Sequence, residues 1–112
     1  MSRAVVFPTR GDPRMVDVPE GAGWEWMRDQ IGCEWIEIVC PQGLEKGFVM
    51  IIDEEGRLRP NRLNRVGTYL YGDPIVGDVL IMREIVTEEG GVCVGMTEEE
   101  AEDLIAGSAE FK

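Results

Sequence analysis

Histidine is absent from this chain of 112 residues. Its absence removes the side chain that most often serves as a general base or zinc ligand, and with it every Ser-His or Cys-His nucleophile. An enzyme with this sequence would depend on carboxylates, lysine, tyrosine or a bound metal. We therefore predict a protein that is not an enzyme, with no catalytic residue, no metal ligand and no cofactor.

Cysteine is scarce and irregularly spaced. The chain has Cys33, Cys40 and Cys93, an odd number with no Cys-x-x-Cys pair. This pattern indicates neither a disulfide framework nor a zinc site. We interpret the three residues as small, buried apolar side chains.

Long apolar segments are also missing. No apolar run approaches the roughly 20 residues of a membrane-spanning helix. The apolar part of the first eight residues is too short for a signal peptide. We therefore expect a cytoplasmic protein (the host cytoplasm if a phage encodes it) with no membrane partner, and a single domain spanning residues 1–112.

Basic residues are outnumbered, with 11 against 22 acidic ones and a net charge of −11. The imbalance is concentrated after Arg65, where the chain has two basic and eleven acidic residues. Such a surface repels phosphate backbones, so we expect no direct binding of nucleic acid.

Apolar patterning predicts the strands. Residues 3–7 and 14–18 have strand-like patterns around a Gly-Asp-Pro turn and form a predicted hairpin. Residues 33–39 alternate in part, and residues 47–52 form a continuous apolar run typical of a central strand. A long strand over residues 75–86, interrupted at Gly77, is followed by a hairpin partner at residues 92–94.

Helical spacing recurs three times. Trp24, Met27 and Ile31 share one face of a predicted helix over residues 22–31, which places Trp24 in the core and Trp26 off the buried face. Residues 61–71 form a second predicted helix, with Asn61 as its N-cap. A Thr-x-x-Glu capping box opens the third, over residues 97–107.

These elements predict an α+β fold, with about five mostly antiparallel strands and about three short helices. Residues 3–96 form the predicted core of the domain, and the capped helix over residues 97–107 follows it. We expect the helices to cover one face of the sheet, which would otherwise expose too much apolar surface.

Residues 57–65 carry the strongest functional signal. They hold four of the eleven basic residues, and no acidic residue occurs between Gly56 and Gly72. Arginine presents a planar fork of donors that fits phosphate, and asparagine reads polar ring edges. A helix starting at Asn61 would place Arg62 and Arg65 on one face and add backbone amides at its N-terminus. We predict an anion site formed by Arg57, Arg59, Asn61, Arg62, Asn64 and Arg65; pairing of the arginines with surface carboxylates is the alternative.

Aromatic residues extend the predicted site. Tyr69 and Tyr71 follow the Arg/Asn segment closely and could stack on a bound ring, and Trp26 could line a pocket or a subunit interface. Ordinary packing is the alternative for each.

Two acidic groups offer weaker signals. Asp73 and Asp78 could form a paired-carboxylate site for hydrolysis, although turn and bulge positions also explain them. The three acids at residues 53–55 are better interpreted as a solvated turn than as a cation site, because they lack the ligand spacing of a calcium loop.

One set of motifs resembles a known family. Asp53-Glu54-Glu55-Gly56, Pro60-Asn61 and the segment over residues 72–81, GDPIVGDVLI, are similar to a family of small uncharacterised domains found in bacteria, phages and mobile elements. The resemblance spans roughly residues 4–96. It implies a phage or mobile-element setting and no assigned enzymatic activity.

That setting suggests two non-catalytic functions against host immunity. The first is a homodimer or larger homo-oligomer that sequesters a nucleotide-derived immune signal near its interface, which we favour because of the arginines. The second is an acidic mimic of DNA that inhibits a host nuclease or restriction system through Glu98, Glu99, Glu100, Glu102 and Asp103. A metal-assisted phosphodiesterase that uses Asp73 and Asp78, and a plain regulatory or scaffolding domain, remain open.

Overall fold

Six antiparallel strands in the described part of the chain form one central sheet. The structure is a computed structural model, and it describes residues 2–58 and 62–111. The strands are β1 (Arg3–Phe7), β2 (Arg14–Asp17), β3 (Ile36–Val39), β4 (Phe48–Asp53), β5 (Val79–Thr87) and β6 (Gly90–Val94). Their order is β2-β1-β5-β4-β3, and β6 also pairs with β5. The predicted α+β class is confirmed.

Three α-helices among the described residues accompany the sheet, and they cover both of its faces. They are α1 (Trp24–Ile31), α2 (Arg65–Tyr71) and α3 (Glu98–Gly107), with short 3₁₀ turns at Gly56–Leu58 and Ala109–Phe111. In β1, Val5 and Phe7 join the core beneath α2 and α3, whereas Ala4 and Val6 join the core beneath α1. The expectation that helices cover one face is therefore wrong. The apolar runs of β4 and β5 explain why, because strands buried on both faces do not alternate.

The long strand β5 receives two partners along the same edge. Val5 of β1 pairs with Ile81, and Val94 of β6 pairs with Arg83 farther along. The strand begins at Val79, four residues later than predicted. Before it, Val76 makes an isolated bridge to Leu63.

Helix α2 begins later than the sequence predicts. Its N-cap is Asn64, whose side-chain oxygen accepts a hydrogen bond from the Gly67 amide at 2.8 Å. The predicted cap, Asn61, lies outside the described residues. Because Arg62 precedes the helix, the expectation that Arg62 and Arg65 share a helical face is wrong.

Helix α1 reverses the predicted positions of two tryptophans. Trp24 is 47% exposed and stacks on Trp35, with ring centroids 6.3 Å apart, whereas Trp26 packs against the core beneath α1. The buried stripe is set by Met27 and Ile31. Trp24 is the first residue of α1, and its ring packs on Trp35 rather than between the helix and the sheet.

The three cysteines are free thiols, but Cys40 is exposed and Cys33 and Cys93 are only half-buried, so the interpretation of three buried side chains is wrong.

Among residues 2–58 and 62–111, no helix has both the length and the apolar character needed to cross a membrane.

Candidate functional site

The arginines of the predicted segment that the structure describes line two different clefts. Arg62 and Arg65 line one cleft, and Arg57 lines another. Arg59 and Asn61 lie outside the described residues. The structure adds a third arginine, Arg10, to the cleft of Arg62 and Arg65.

This cleft, which we call the basic cleft, lies between the turn after β1, the start of α2 and the C-terminal 3₁₀ turn. Its volume is about 720 Å³, and its lining includes Arg10, Arg62, Arg65 and Phe111. All three arginines are exposed. None of the described residues that line it is acidic, although Asp12 follows the lining residue Gly11. Three cations therefore converge on one concave surface of an acidic protein.

Asn64 holds the walls of the basic cleft together. Its side-chain nitrogen donates to the carbonyl oxygens of Phe7 at 2.8 Å and Gly77 at 2.9 Å. Its side-chain oxygen accepts from Gly67, as described above. The side chain thus links the end of β1, the segment before β5 and the start of α2.

Two further hydrogen bonds fix the arginine-bearing segments. The Thr9 amide donates to the Asp78 carboxylate at 3.0 Å, which anchors the turn that carries Arg10. The Gly77 amide donates to the Arg62 carbonyl at 2.9 Å. The backbone beside each arginine is therefore tied to the residues preceding β5.

Burial changes the status of Asn64 as a predicted ligand residue. The residue is 0% exposed, and both side-chain polar atoms bond within the protein. It therefore shapes the basic cleft without reaching its contents. The Gly67 amide is likewise occupied by Asn64, which removes it from the predicted helix N-terminal contribution.

A second cleft adjoins the basic cleft on the other side of Phe111. We call it the acidic cleft; its volume is about 560 Å³. Its apolar lining includes Leu44, Phe48, Leu70 and Leu104. Its charged lining consists of four carboxylates, from Glu45, Glu100, Asp103 and Glu110.

An aromatic pair separates the two clefts. The rings of Tyr69 and Phe111 stack with centroids 3.7 Å apart and planes 15° apart. Tyr69 lines the acidic cleft, and Phe111 lines both clefts. Tyr69 is 55% exposed, so much of its ring remains open to solvent.

Arg83 partly neutralises the acidic cleft. Its guanidinium contacts the Glu100 carboxylate and lies 3.2 Å from a Glu45 oxygen. Hydrogen bonding to Arg83, followed by that to the Thr97 backbone, lowers the pKa of Glu100 below its usual value. The same hydrogen bond raises the pKa of Arg83. Arg83 thus engages Glu45 and Glu100, and Asp103 and Glu110 are the other two carboxylates of the cleft lining.

Arg57 and Tyr71 belong to a third cleft, of about 390 Å³, whose lining includes Glu37, Asp53 and Glu54. Arg57 donates to the Pro74 carbonyl at 3.0 Å. Acidic residues share this lining, which distinguishes the third cleft from the basic cleft.

Trp26 lies across the sheet from the basic cleft. It packs against the core beneath α1, whereas the cleft residues Phe7 and Val66 belong to the core beneath α2 and α3. Trp26 and the basic cleft therefore cannot form one small-molecule site.

The other predicted acidic groups have local roles. Asp78 accepts the Thr9 amide, and Asp73 is exposed in the turn after α2. The Asp53 carboxylate accepts the Glu55 amide at 2.9 Å within its turn. Over residues 2–58 and 62–111, no three Cys, Asp or Glu side chains come together as a metal site would require.

Sequence reasoning missed Arg10 and Phe111. Arg10 lies in the turn after β1, and its neighbour Thr9 is held by Asp78, 69 residues away. Phe111 follows the last predicted helix. The only sequence signal for Arg10 was a basic residue in a glycine turn directly after a strand.

Comparison with known proteins identifies the family of this chain. No curated protein and no solved structure matches this chain. The family model described as "Domain of unknown function (DUF3846)" matches residues 1–107, which nearly covers the chain and agrees with the resemblance to an uncharacterised family. The chain belongs to the DUF3846 family.

Proposed function

We propose that this protein binds and sequesters a small phosphate-bearing molecule of the nucleotide class in the basic cleft, without converting it. The observation that carries the proposal is the convergence of Arg10, Arg62 and Arg65 on a cleft with no acidic lining residue among those described. The cleft is therefore a local concentration of positive charge on a chain whose net charge is −11.

Guanidinium chemistry favours phosphate as the bound group. Each arginine presents up to five N–H donors in a planar fork, and paired donors match two phosphate oxygens. The three arginines are exposed and line the same cleft, so their N–H groups offer donors to a phosphate bound there. The surrounding negative charge disfavours long polyanions, which supports a small ligand over nucleic acid.

The same chemistry supports binding rather than turnover. Arginine remains protonated at neutral pH and neither accepts nor releases a proton. The chain has no histidine to do so in its place. The cleft therefore offers charge and hydrogen-bond donors without an evident general base.

The biological part of the proposal comes from the resemblance. A phage or mobile-element setting makes a nucleotide-derived signal of host immunity the ligand we favour. We further propose a homodimer or larger assembly, because an anion held at a subunit interface is shielded from water more fully than one in an open cleft.

A binding panel tests the proposal. We expect isothermal titration to detect micromolar or tighter binding of at least one nucleoside monophosphate, cyclic dinucleotide or ADP-ribose derivative, with the ligand recovered intact by chromatography. Breakdown of the ligand would instead identify an enzyme. No binding of any member, nor of inorganic pyrophosphate, would contradict the proposal.

The acidic-mimic hypothesis receives less support from the geometry. Glu100 is engaged by Arg83, and a Glu98 oxygen lies 3.6 Å from an Arg3 nitrogen. Two of its five predicted carboxylates are therefore close to cations. Glu99, Glu102 and Asp103 remain exposed on α3. Salt-sensitive inhibition of a host nuclease that depends on these residues would favour this alternative.

A further inference from the structure

The basic and acidic clefts are two parts of one surface. Phe111 lines both, and Arg65 and Tyr69 are four residues apart on α2. Four residues correspond to one helical turn, or about 6 Å along the axis. A ligand whose phosphate lies among the arginines therefore has the acidic cleft within the reach of a sugar.

The boundary between the clefts suits a flat ring. Tyr69 is stacked on Phe111 and is about half exposed, so it offers an aromatic surface held in place by a second ring. Leu70 and Leu104 supply apolar lining beside it. Bases stack on such aromatic surfaces irrespective of sequence, because every base has a flat π-face.

The carboxylates of the acidic cleft select among bases. A carboxylate only accepts hydrogen bonds, so it favours a ring edge that presents donors. Guanine presents two adjacent donor groups, N1–H and the 2-amino group, which match the two oxygens of one carboxylate. Adenine presents its amino group beside the N1 lone pair, which a carboxylate repels.

Asp103 and Glu110 are the residues placed for this recognition. Both line the acidic cleft, and Arg83 contacts the other two carboxylates of the cleft. Glu110 also belongs to the 3₁₀ turn that carries Phe111. Charge would then orient the ligand, because phosphate is attracted to one end of the surface and repelled from the other.

We infer that the acidic cleft is the base subsite of the same ligand, and that it selects a guanine nucleotide through a carboxylate of Asp103 or Glu110, with the base beside Tyr69. This inference rests on the proposed function, since the phosphate is held by the basic cleft. It adds the identity of the base and a second set of residues.

The test compares GMP, AMP, UMP and inorganic pyrophosphate by isothermal titration against the full chain. We expect GMP to bind at least tenfold more tightly than AMP or UMP. The variants Asp103→Asn and Glu110→Gln are measured separately, and at least one should reduce the preference for GMP to threefold or less while leaving AMP affinity within twofold. Glu102→Gln, an exposed change on the same helix outside the cleft lining, should keep the full preference.

The outcomes separate the two proposals. Equal affinity for the three nucleotides, or a GMP preference that survives both carboxylate variants, would overturn the base subsite and leave the phosphate site standing. Binding of neither nucleotides nor pyrophosphate would overturn both. Circular dichroism of each variant checks that a lost preference does not reflect lost folding.

Discussion

The side-chain nitrogen of Asn64 donates a hydrogen bond to the carbonyl oxygen of Phe7 at 2.8 Å, across 57 positions of sequence. The bond joins the end of β1 to the residue that caps α2. Because Arg10 follows β1 and Arg65 opens α2, this one contact sets the relation between two walls of the basic cleft.

Replacing Asn64 with alanine is expected to destabilise the fold by about 2–4 kcal/mol. The change removes the helix cap, worth about 1 kcal/mol, and takes the Asn64 donor from the Phe7 and Gly77 carbonyls, at about 1–3 kcal/mol. Urea unfolding followed by circular dichroism measures the loss. Gln42→Ala, an exposed amide, is the control and should change stability by less than about 0.5 kcal/mol. Equal stability of Asn64→Ala and wild type would contradict this account of the cleft.

Gly95 is predicted to be intolerant of a side chain. A Cβ there would lie 2.4 Å from the Ser2 Cβ and 3.0 Å from the Arg3 carbonyl oxygen. Gly95→Ala should therefore cost about 1–3 kcal/mol in thermal or urea unfolding. Gly107→Ala is the matched control, because no atom lies within 4 Å of its added Cβ and alanine favours helix. We expect Gly107→Ala to leave stability unchanged or to raise it slightly. An unchanged stability of Gly95→Ala would show that the backbone near Ser2 and Arg3 can shift to accommodate the added Cβ at little cost.

The Arg83–Glu100 pair predicts a pH dependence of stability. The pKa of Glu100 is lowered by Arg83, so the pair contributes fully above the ordinary glutamate value of about 4.3 and loses its contribution as pH falls through the lowered pKa. Glu100→Gln retains a capping-box residue but removes the charge. At pH 7 the variant should be less stable by under about 1 kcal/mol, because the pair is partly exposed and screened.

Urea unfolding at several pH values measures this difference. The difference in free energy of unfolding between Glu100→Gln and wild type should fall towards zero as the solution becomes acidic. A gap that is unchanged from pH 7 into strong acid would mean that the ion pair is not its source.

The proposed assembly predicts a solution mass above that of one chain. At micromolar concentration, light scattering should give at least twice the chain mass of 12.5 kDa. A mass equal to one chain would rule out a subunit interface as the place where the ligand is held, although the basic cleft of a single chain could still bind.

Local signals predicted much of the fold, and long-range geometry decided the site. The capping box of Thr97 and Glu100 and the apolar runs of β1 and β4 are contiguous in sequence, so the pattern alone identified them. The grouping of Arg10 with Arg62 depends on how β1 pairs with β5 and how Asp78 holds Thr9. Both contacts join residues far apart in the sequence, so the pattern of a short segment cannot predict them.

The start of α2 illustrates the same limit. Asn61 and Asn64 are equally good N-caps by residue type. Asn64 is the N-cap of α2 in the structure, where its side chain also bonds to Phe7 and Gly77. Because α2 begins after Asn64, Arg62 lies before the helix, and it lines the basic cleft together with Arg10 and Arg65.

The most direct test of the central claim compares two arginine variants from the same sequence segment. Arg62 lines the basic cleft, whereas Arg57 lies in a different cleft with acidic neighbours. Using whichever nucleotide binds best, isothermal titration in low salt should show affinity reduced at least tenfold by Arg62→Gln and by Arg10→Gln, and less than twofold by Arg57→Gln. Losses that are equal for Arg57→Gln and Arg62→Gln, or absent from all three, would contradict the basic cleft as the phosphate site.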